Sequence, residues 1–247
     1  MSIGEIAPAA EILVLVLAFF VLPLVSALAG QRLARVTPIS FLPRYFQAIA
    51  RGGLFAAILL GFWLWARRPF SELGLDIPVG MLGRVGFVLD GLLLLFYIRT
   101  QARLRFLTEA DFESLGTRIE NLRIAPRTTA ELAVFILVAI TAGVWEELVY
   151  RGFALWYLSP RVGLVGALTL SSVAFGAGHL YQGWRGFVLT TLLGLSFGLL
   201  YIGSSSLWWL MAAHALIDIQ AGLASYRVMR RLRKIRARAA PLVLKVN

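Results

Sequence analysis

The residues best suited to chemistry begin with a run of polar side chains in the segment 142–151, which reads Ala-Gly-Val-Trp-Glu-Glu-Leu-Val-Tyr-Arg. Glu147 and Arg151 are four residues apart, with the acid on the amino-terminal side, which is the favourable order for an ion pair on a helix. Glu146 lies about 100° around the helix from Glu147, so Arg151 is poorly placed to neutralise it. Glu146 is therefore the carboxylate that remains available as a base.

Two histidines complete the set, since the chain contains only His179 and His214. A lone histidine in a membrane helix usually makes a hydrogen bond between helices. His214 and Asp218 are four residues apart and therefore share one helix face, as two groups that point into a common cavity must. Two histidines and a free carboxylate indicate an acid–base site, whereas an ionic cluster that only locks helices together is the structural alternative.

The same groups are compatible with either a zinc site or a site that works without metal. Glu146, His179 and His214 form a candidate zinc shell. The sequence has no His-Glu-x-x-His helix, and we therefore favour a site without metal or other cofactor. The chain also lacks cysteine, which excludes a cysteine nucleophile and a thiolate metal site.

Apolar helices must hold these groups, because the composition requires lipid as the solvent. Hydrophobic side chains make up 59% of the 247 residues and charged ones only 15%. The apolar residues occur in blocks of about 18 or more, long enough for a helix to cross the hydrocarbon layer. Only helices satisfy their own backbone there without closing into a barrel. The predicted fold is an all-α, polytopic membrane helix bundle with about seven transmembrane helices.

The spans are predicted at 10–30, 48–66, 82–98, 130–158, 162–181, 186–203 and 206–223. We expect a single transmembrane domain over 1–247, with the motif-bearing core at about 130–224 and a basic tail at 225–247. The polar stretch 99–129 is predicted to be a solvated or interfacial linker.

The positive charge of +11 indicates lipid rather than nucleic acid, because the basic residues lie between or after the apolar blocks. Seven spans place 19 of the 24 basic residues on one side, which predicts a cytoplasmic basic tail. We expect a multi-pass protein of a bacterial plasma membrane, with anionic lipids as partners of the tail and no nucleic-acid partner.

Three motifs, Glu146-Glu147-x-x-x-Arg151, Phe175-x-x-x-His179 and His214-x-x-x-Asp218, occur in this order. They resemble the CPBP intramembrane protease family, also called the Abi or CAAX protease-like family. The resemblance covers about residues 131–224. Members of that family include type II CAAX prenyl endopeptidases and bacterial proteins linked to bacteriocin processing and immunity.

The resemblance implies that Glu146 and His179 activate a water for attack on a peptide carbonyl, while Glu147 and Arg151 support the site. His214 and residue 218 would line the oxyanion side, where the family commonly has Asn and this chain has Asp218. An ionised carboxylate cannot donate to an oxyanion, so Asp218 is expected to orient His214 or to be protonated. The resemblance also favours the metal-free glutamate mechanism.

The first hypothesis is thus an intramembrane endopeptidase that resembles CAAX prenyl endopeptidases. Its substrate would be a peptide or protein, with prenylated peptides as one candidate class. The alternative is a non-catalytic membrane scaffold or a bacteriocin-immunity-type protein. A proton-coupled transporter is less favoured, because the sequence shows no repeat symmetry.

Overall fold

The apolar blocks form helices in the computed structural model, which describes residues 3–21, 23–25, 27–28, 40–77 and 80–243. No strand occurs in these ranges, so the all-α prediction is confirmed. The main helices within them are α1 (Ile3–Val16), α2 (Leu42–Trp65), α3 (Gly80–Arg103), α4 (Glu109–Leu122), α5 (Thr129–Glu147), α6 (Ala154–Ala177), α7 (Trp184–Ser204) and α8 (Trp208–Val243).

Within the described part of the chain, four helical segments are long and apolar enough to cross a membrane, namely Leu42–Trp65, Arg84–Phe106, Thr129–Ala177 and Trp184–Ser204. The chain is therefore an integral membrane protein. The predicted count of seven spans stays a prediction. Part of the span predicted at 10–30 lies outside the described residues, and the polar residues of α8, His214, Asp218 and Gln220, lower the hydropathy of the last predicted span.

The segment Thr129–Ala177 contains two of the predicted spans. It is bent at Gly163, whose φ of 73° is in the left-handed region that favours glycine. Pro160 comes three residues earlier and cannot donate a helical hydrogen bond. Pro160 lies between the spans predicted at 130–158 and 162–181, and Gly163 is the second residue of the later span, so the two predictions correspond closely to the two arms of the segment.

The polar stretch 99–129 is more helical than the predicted linker. Its centre is α4, whose first turn is closed by a reciprocal cap between Thr108 and Asp111. The Thr108 backbone N–H and hydroxyl donate to the Asp111 carboxylate at 2.9 and 2.7 Å, and these hydrogen bonds hold the pKa of Asp111 below its ordinary value. Phe112 and Gly116 are buried, so α4 packs onto the bundle by one face.

Close helix crossings bring the candidate residues together. A Cβ atom on Gly143 of α5 would lie 2.8 Å from the Met211 carbonyl oxygen and 3.0 Å from the Ala215 nitrogen of α8. A Cβ atom on Gly176 of α6 would lie 2.9 Å from the Phe187 carbonyl oxygen of α7. Glycine at these two positions therefore permits backbone-to-backbone packing next to the polar motifs.

A π-helical segment, Leu148–Phe153, joins α5 to α6 directly after the two glutamates. All six of its residues are buried. The wider turn leaves backbone carbonyls without their usual helical partners, and the Ser171 hydroxyl of α6 donates to the Tyr150 carbonyl at 2.5 Å. Arg151 lies within this segment.

Candidate active site

Glu147 is the centre of a buried ionic network. Its Oε1 accepts a hydrogen bond from Arg151 Nη1 at 3.0 Å and lies 2.7 Å from His214 Nδ1. Glu147 is fully buried, and Arg151 and His214 are 2% and 4% exposed. The predicted ion pair between positions 147 and 151 is therefore present, and His214 joins it, which the sequence spacing alone did not indicate.

Arg151 connects this network to α6 and α7. Its Nη2 donates to the Gly194 carbonyl at 3.2 Å, and its guanidinium carbon lies 4.4 Å from the centre of the Phe175 ring. A Cβ atom on Gly194 would lie 3.2 Å from Arg151 Nη2, so a larger residue would crowd the guanidinium. Hydrogen bonds and a cation–π contact thus replace the hydration that a buried arginine loses.

Glu146 is not part of the bond between Glu147 and Arg151. Its Oε2 lies 3.8 Å from His214 Nε2, within ion-pair distance but beyond hydrogen-bond distance. The same oxygen is buried and has no hydrogen-bond partner among the described residues. The expectation that Glu146 is the carboxylate left available agrees with this geometry, and its catalytic role stays a prediction.

His179 lies just after the end of α6, where the chain enters the 3-10 turn Leu180–Gln182. Its Nδ1 is 3.0 Å from the Phe175 carbonyl oxygen. A carbonyl oxygen only accepts, so Nδ1 donates and carries the hydrogen. The neutral ring then has its lone pair on Nε2, which is the nitrogen available to accept a proton.

Asp218 shares the helix face of His214, as the spacing predicts. Its Oδ2 lies 3.7 Å from His214 Nε2, so this nitrogen is within 4 Å of the carboxylates of both Asp218 and Glu146. The Asp218 side chain is 39% exposed, whereas His214 is buried. Asp218 is thus the most accessible carboxylate of this group.

A cavity of about 600 Å³ lies beside these residues. Glu146, His179 and Asp218 line its wall, together with Tyr150 and Tyr181. Glu147, Arg151 and His214 are not among the described residues that line it. The structure therefore divides the six predicted site residues into three that line the cavity and three that do not, although His214 Nε2 lies within 4 Å of two of the lining carboxylates.

The cavity also has a basic wall that the sequence analysis did not predict. Arg44 and Arg51 of α2 line it, and Arg123 lines it from the end of α4. Arg44 Nη1 is buried and has no hydrogen-bond partner among the described residues. Arg44 and Arg51 are seven residues, or about two helical turns, apart, which places them on one face of α2. Nothing in the sequence linked that face to the later motifs.

The donor set does not form an evident metal centre. Within the described ranges, no three His, Asp or Glu side chains are arranged so that they could hold one metal ion. Nδ1 of His214 is bonded to Glu147 and Nδ1 of His179 to a carbonyl, so Nε2 is the nitrogen that each ring can offer to a ligand or a water.

The family model of the type II CAAX prenyl endopeptidase Rce1-like proteins matches residues 128–220. Neither the curated proteins nor the solved structures provide a match. The matched segment begins at Thr128, which caps α5, and ends within α8, so it contains all six motif residues. The predicted resemblance over about 131–224 is confirmed. This segment of the chain is therefore similar to the type II CAAX prenyl endopeptidase Rce1-like family.

Proposed function

We propose that the protein is an intramembrane endopeptidase of the CAAX type that hydrolyses a peptide bond with a water activated by Glu146 and His179. One observation carries the proposal. Glu146 and His179 line the same cavity, while the adjacent Glu147 is bonded to Arg151 and His214. One carboxylate thus remains available for proton transfer, and its neighbour fixes the surrounding helices.

The proposed reaction begins with a water between Glu146 and His179 Nε2. Glu146 takes a proton from the water while the water oxygen attacks the peptide carbonyl carbon. His179 accepts a hydrogen bond from the same water. The resulting tetrahedral intermediate collapses when the carbon–nitrogen bond breaks. Glu146 then gives its proton to the departing amine, which leaves a carboxylic acid and an amine as products.

His214 is the proposed donor to the oxyanion. Its Nδ1 faces Glu147, so an Nε2 hydrogen is present when the ring is doubly protonated. Asp218, 3.7 Å from that nitrogen, would hold the ring in this orientation. This assigns Asp218 a positioning role instead of the donor role that an asparagine could fill.

A metal-free mechanism remains part of the proposal. The support is that no three His, Asp or Glu side chains of the described residues are arranged to hold one metal ion. Peptide cleavage should therefore continue after treatment with 1,10-phenanthroline followed by dialysis against metal-free buffer. Loss of activity that returns when zinc is added would contradict this part of the proposal.

The test of the function uses the full chain in proteoliposomes and a mixed pool of peptides with and without a prenyl group. Products are identified by mass spectrometry for the wild type, Glu146→Gln and His179→Ala. Glu72→Gln is the matched control, because Glu72 is an exposed glutamate outside the cavity. Cleavage by the wild type and the control, with rates lowered about 10²- to 10⁴-fold in the other two, would support the proposal.

The scaffold hypothesis has its own supporting observation. The buried network of Glu147, Arg151 and His214 connects three parts of the chain without requiring any reaction. Under that hypothesis no peptide in the pool is cleaved, and folded Glu146→Gln protein keeps every cellular effect of the wild type. These two results together would replace the protease proposal.

A further inference from the structure

A second cavity, of about 760 Å³, lies at the carboxyl end of α3. It is bounded by the end of α3, the 3-10 turn Leu104–Phe106, the start of α4 and the middle of α8. It shares no lining residue with the cavity beside Glu146. Any ligand bound here would therefore occupy a separate site.

The lining of this cavity combines apolar side chains with cationic ones. Ile98, Leu104, Leu107 and Phe112 form its apolar part. The charged residues that line it are Arg105, Arg227 and Arg231, and no aspartate or glutamate is among the lining residues of the described chain.

Two of these guanidinium groups lack a protein partner among the residues that the structure describes. Arg227 donates to the side-chain oxygen of the buried Gln101, which is a neutral acceptor. Neither Arg105 nor Arg231 has a hydrogen-bond or ion-pair partner within the described ranges. Their charges are therefore not compensated by the residues around the cavity.

Three of the four acidic residues of α4 are engaged elsewhere, and the fourth, Glu109, is exposed and is not among the described residues that line the cavity. Glu113 and Glu120 bind Arg236 at 3.3 and 3.0 Å, and Asp111 caps the first turn of α4. Arg236 lies further along α8 than the arginines of the cavity, so this ion-pair cluster anchors α4 without neutralising them. The cationic cavity is thus separate from the ion pairs that Arg236 makes with α4.

The position of the cavity matches the edge of a membrane. The candidate span Arg84–Phe106 ends there, and the polar helix α4 begins directly afterwards. Apolar and cationic side chains meet at this boundary, where hydrocarbon gives way to headgroups. A molecule that carries a phosphate and an acyl chain fits both kinds of wall, because guanidinium binds phosphate oxygens and apolar side chains exclude water.

We propose that this cavity binds one anionic phospholipid of the surrounding leaflet. The phosphate binds Arg105 and Arg231, and an acyl chain lies against Ile98 and Leu104. The site thereby connects α3 to α8, the helix that also carries His214 and Asp218. This proposal does not depend on the proposed peptidase activity.

The test measures binding of dioleoylphosphatidylglycerol to the detergent-purified full chain by native mass spectrometry. The cavity variant is Arg105→Gln/Arg231→Gln. The control is Arg230→Gln/Arg238→Gln, which removes the same charge from exposed tail positions outside the cavity. We expect one tightly retained lipid, about 30-fold weaker binding in the cavity variant and less than about 2-fold weaker binding in the control.

Two comparisons identify the source of the phosphate. Dioleoylphosphatidylcholine should be retained far more weakly, and millimolar inorganic phosphate should not displace the anionic lipid. Equal losses of lipid binding in both double variants would overturn the proposal and indicate diffuse attraction to the tail. Displacement of the lipid by inorganic phosphate would overturn it and indicate a site for free phosphate. If the cavity double variant does not fold, each single variant should weaken binding about fivefold, and unchanged binding in both would overturn the proposal.

Discussion

Replacing Arg151 by methionine should strongly destabilise the protein, because Arg151 is the cationic partner of a fully buried carboxylate. The variant loses the 3.0 Å bond to Glu147, the 3.2 Å bond to the Gly194 carbonyl and the cation–π contact with Phe175. Removing one partner of a buried ion pair typically costs about 3–5 kcal/mol. His214 remains 2.7 Å from Glu147 and compensates in part, so we expect about 3 kcal/mol, at the lower end of that range.

The measurement is a titration with sodium dodecyl sulfate in mixed micelles, followed by tryptophan fluorescence. Glu147→Gln and the double variant Glu147→Gln/Arg151→Met complete a double-mutant cycle. The double variant should be more stable than the sum of the single effects predicts, by about 1 kcal/mol or more, because the unpaired charge is gone. Arg185→Met, at an exposed arginine, should change the free energy of unfolding by less than about 0.5 kcal/mol. A loss below about 1 kcal/mol in Arg151→Met, or strictly additive effects, would refute the reasoning.

Three further predictions follow from the helix crossing and the cavity. Gly143→Ala should destabilise the protein by about 1–3 kcal/mol in the same titration, because its Cβ would meet the Met211 carbonyl at 2.8 Å, whereas Gly61→Ala, which has open space, should be neutral or slightly stabilising. Asp218→Asn should keep or raise the cleavage rate, since asparagine can position His214 and also donate to an oxyanion; a rate below that of Asp218→Ala would contradict this role. Arg51→Gln should lower kcat/KM more for peptides with an acidic residue near the cleavage site than for matched amides, and an equal decrease for both would argue against a substrate-binding role.

Local spacing predicted much of the polar network. The four-residue separation of Glu147 and Arg151, and of His214 and Asp218, specifies shared helix faces, and both pairs are within 4 Å in the structure. The apolar blocks likewise predicted membrane helices, because a long apolar run has few alternatives in lipid. These features depend on helical periodicity and composition, which a sequence displays directly.

Contacts between distant segments could not be predicted from the sequence in the same way. The bond between His214 and Glu147 joins positions 67 residues apart, and it requires the close crossing at Gly143. The arginines of α2 that line the cavity are separated from Glu146 by almost 100 residues, so periodicity cannot connect them. The stretch 99–129 was assigned to a linker because its charges dominate its composition, although the cap at Thr108 and Asp111 starts a helix there.

The central claim is that two adjacent glutamates have different tasks, with Glu146 as the base and Glu147 as the anchor of the helices. The most direct test compares Glu146→Gln and Glu147→Gln in the same proteoliposomes by single-turnover peptide cleavage and by the free energy of unfolding. We expect Glu146→Gln to lose about 10²- to 10⁴-fold in rate with little loss of stability, while Glu147→Gln is destabilised. Cleavage at the wild-type rate by folded Glu146→Gln protein would contradict it.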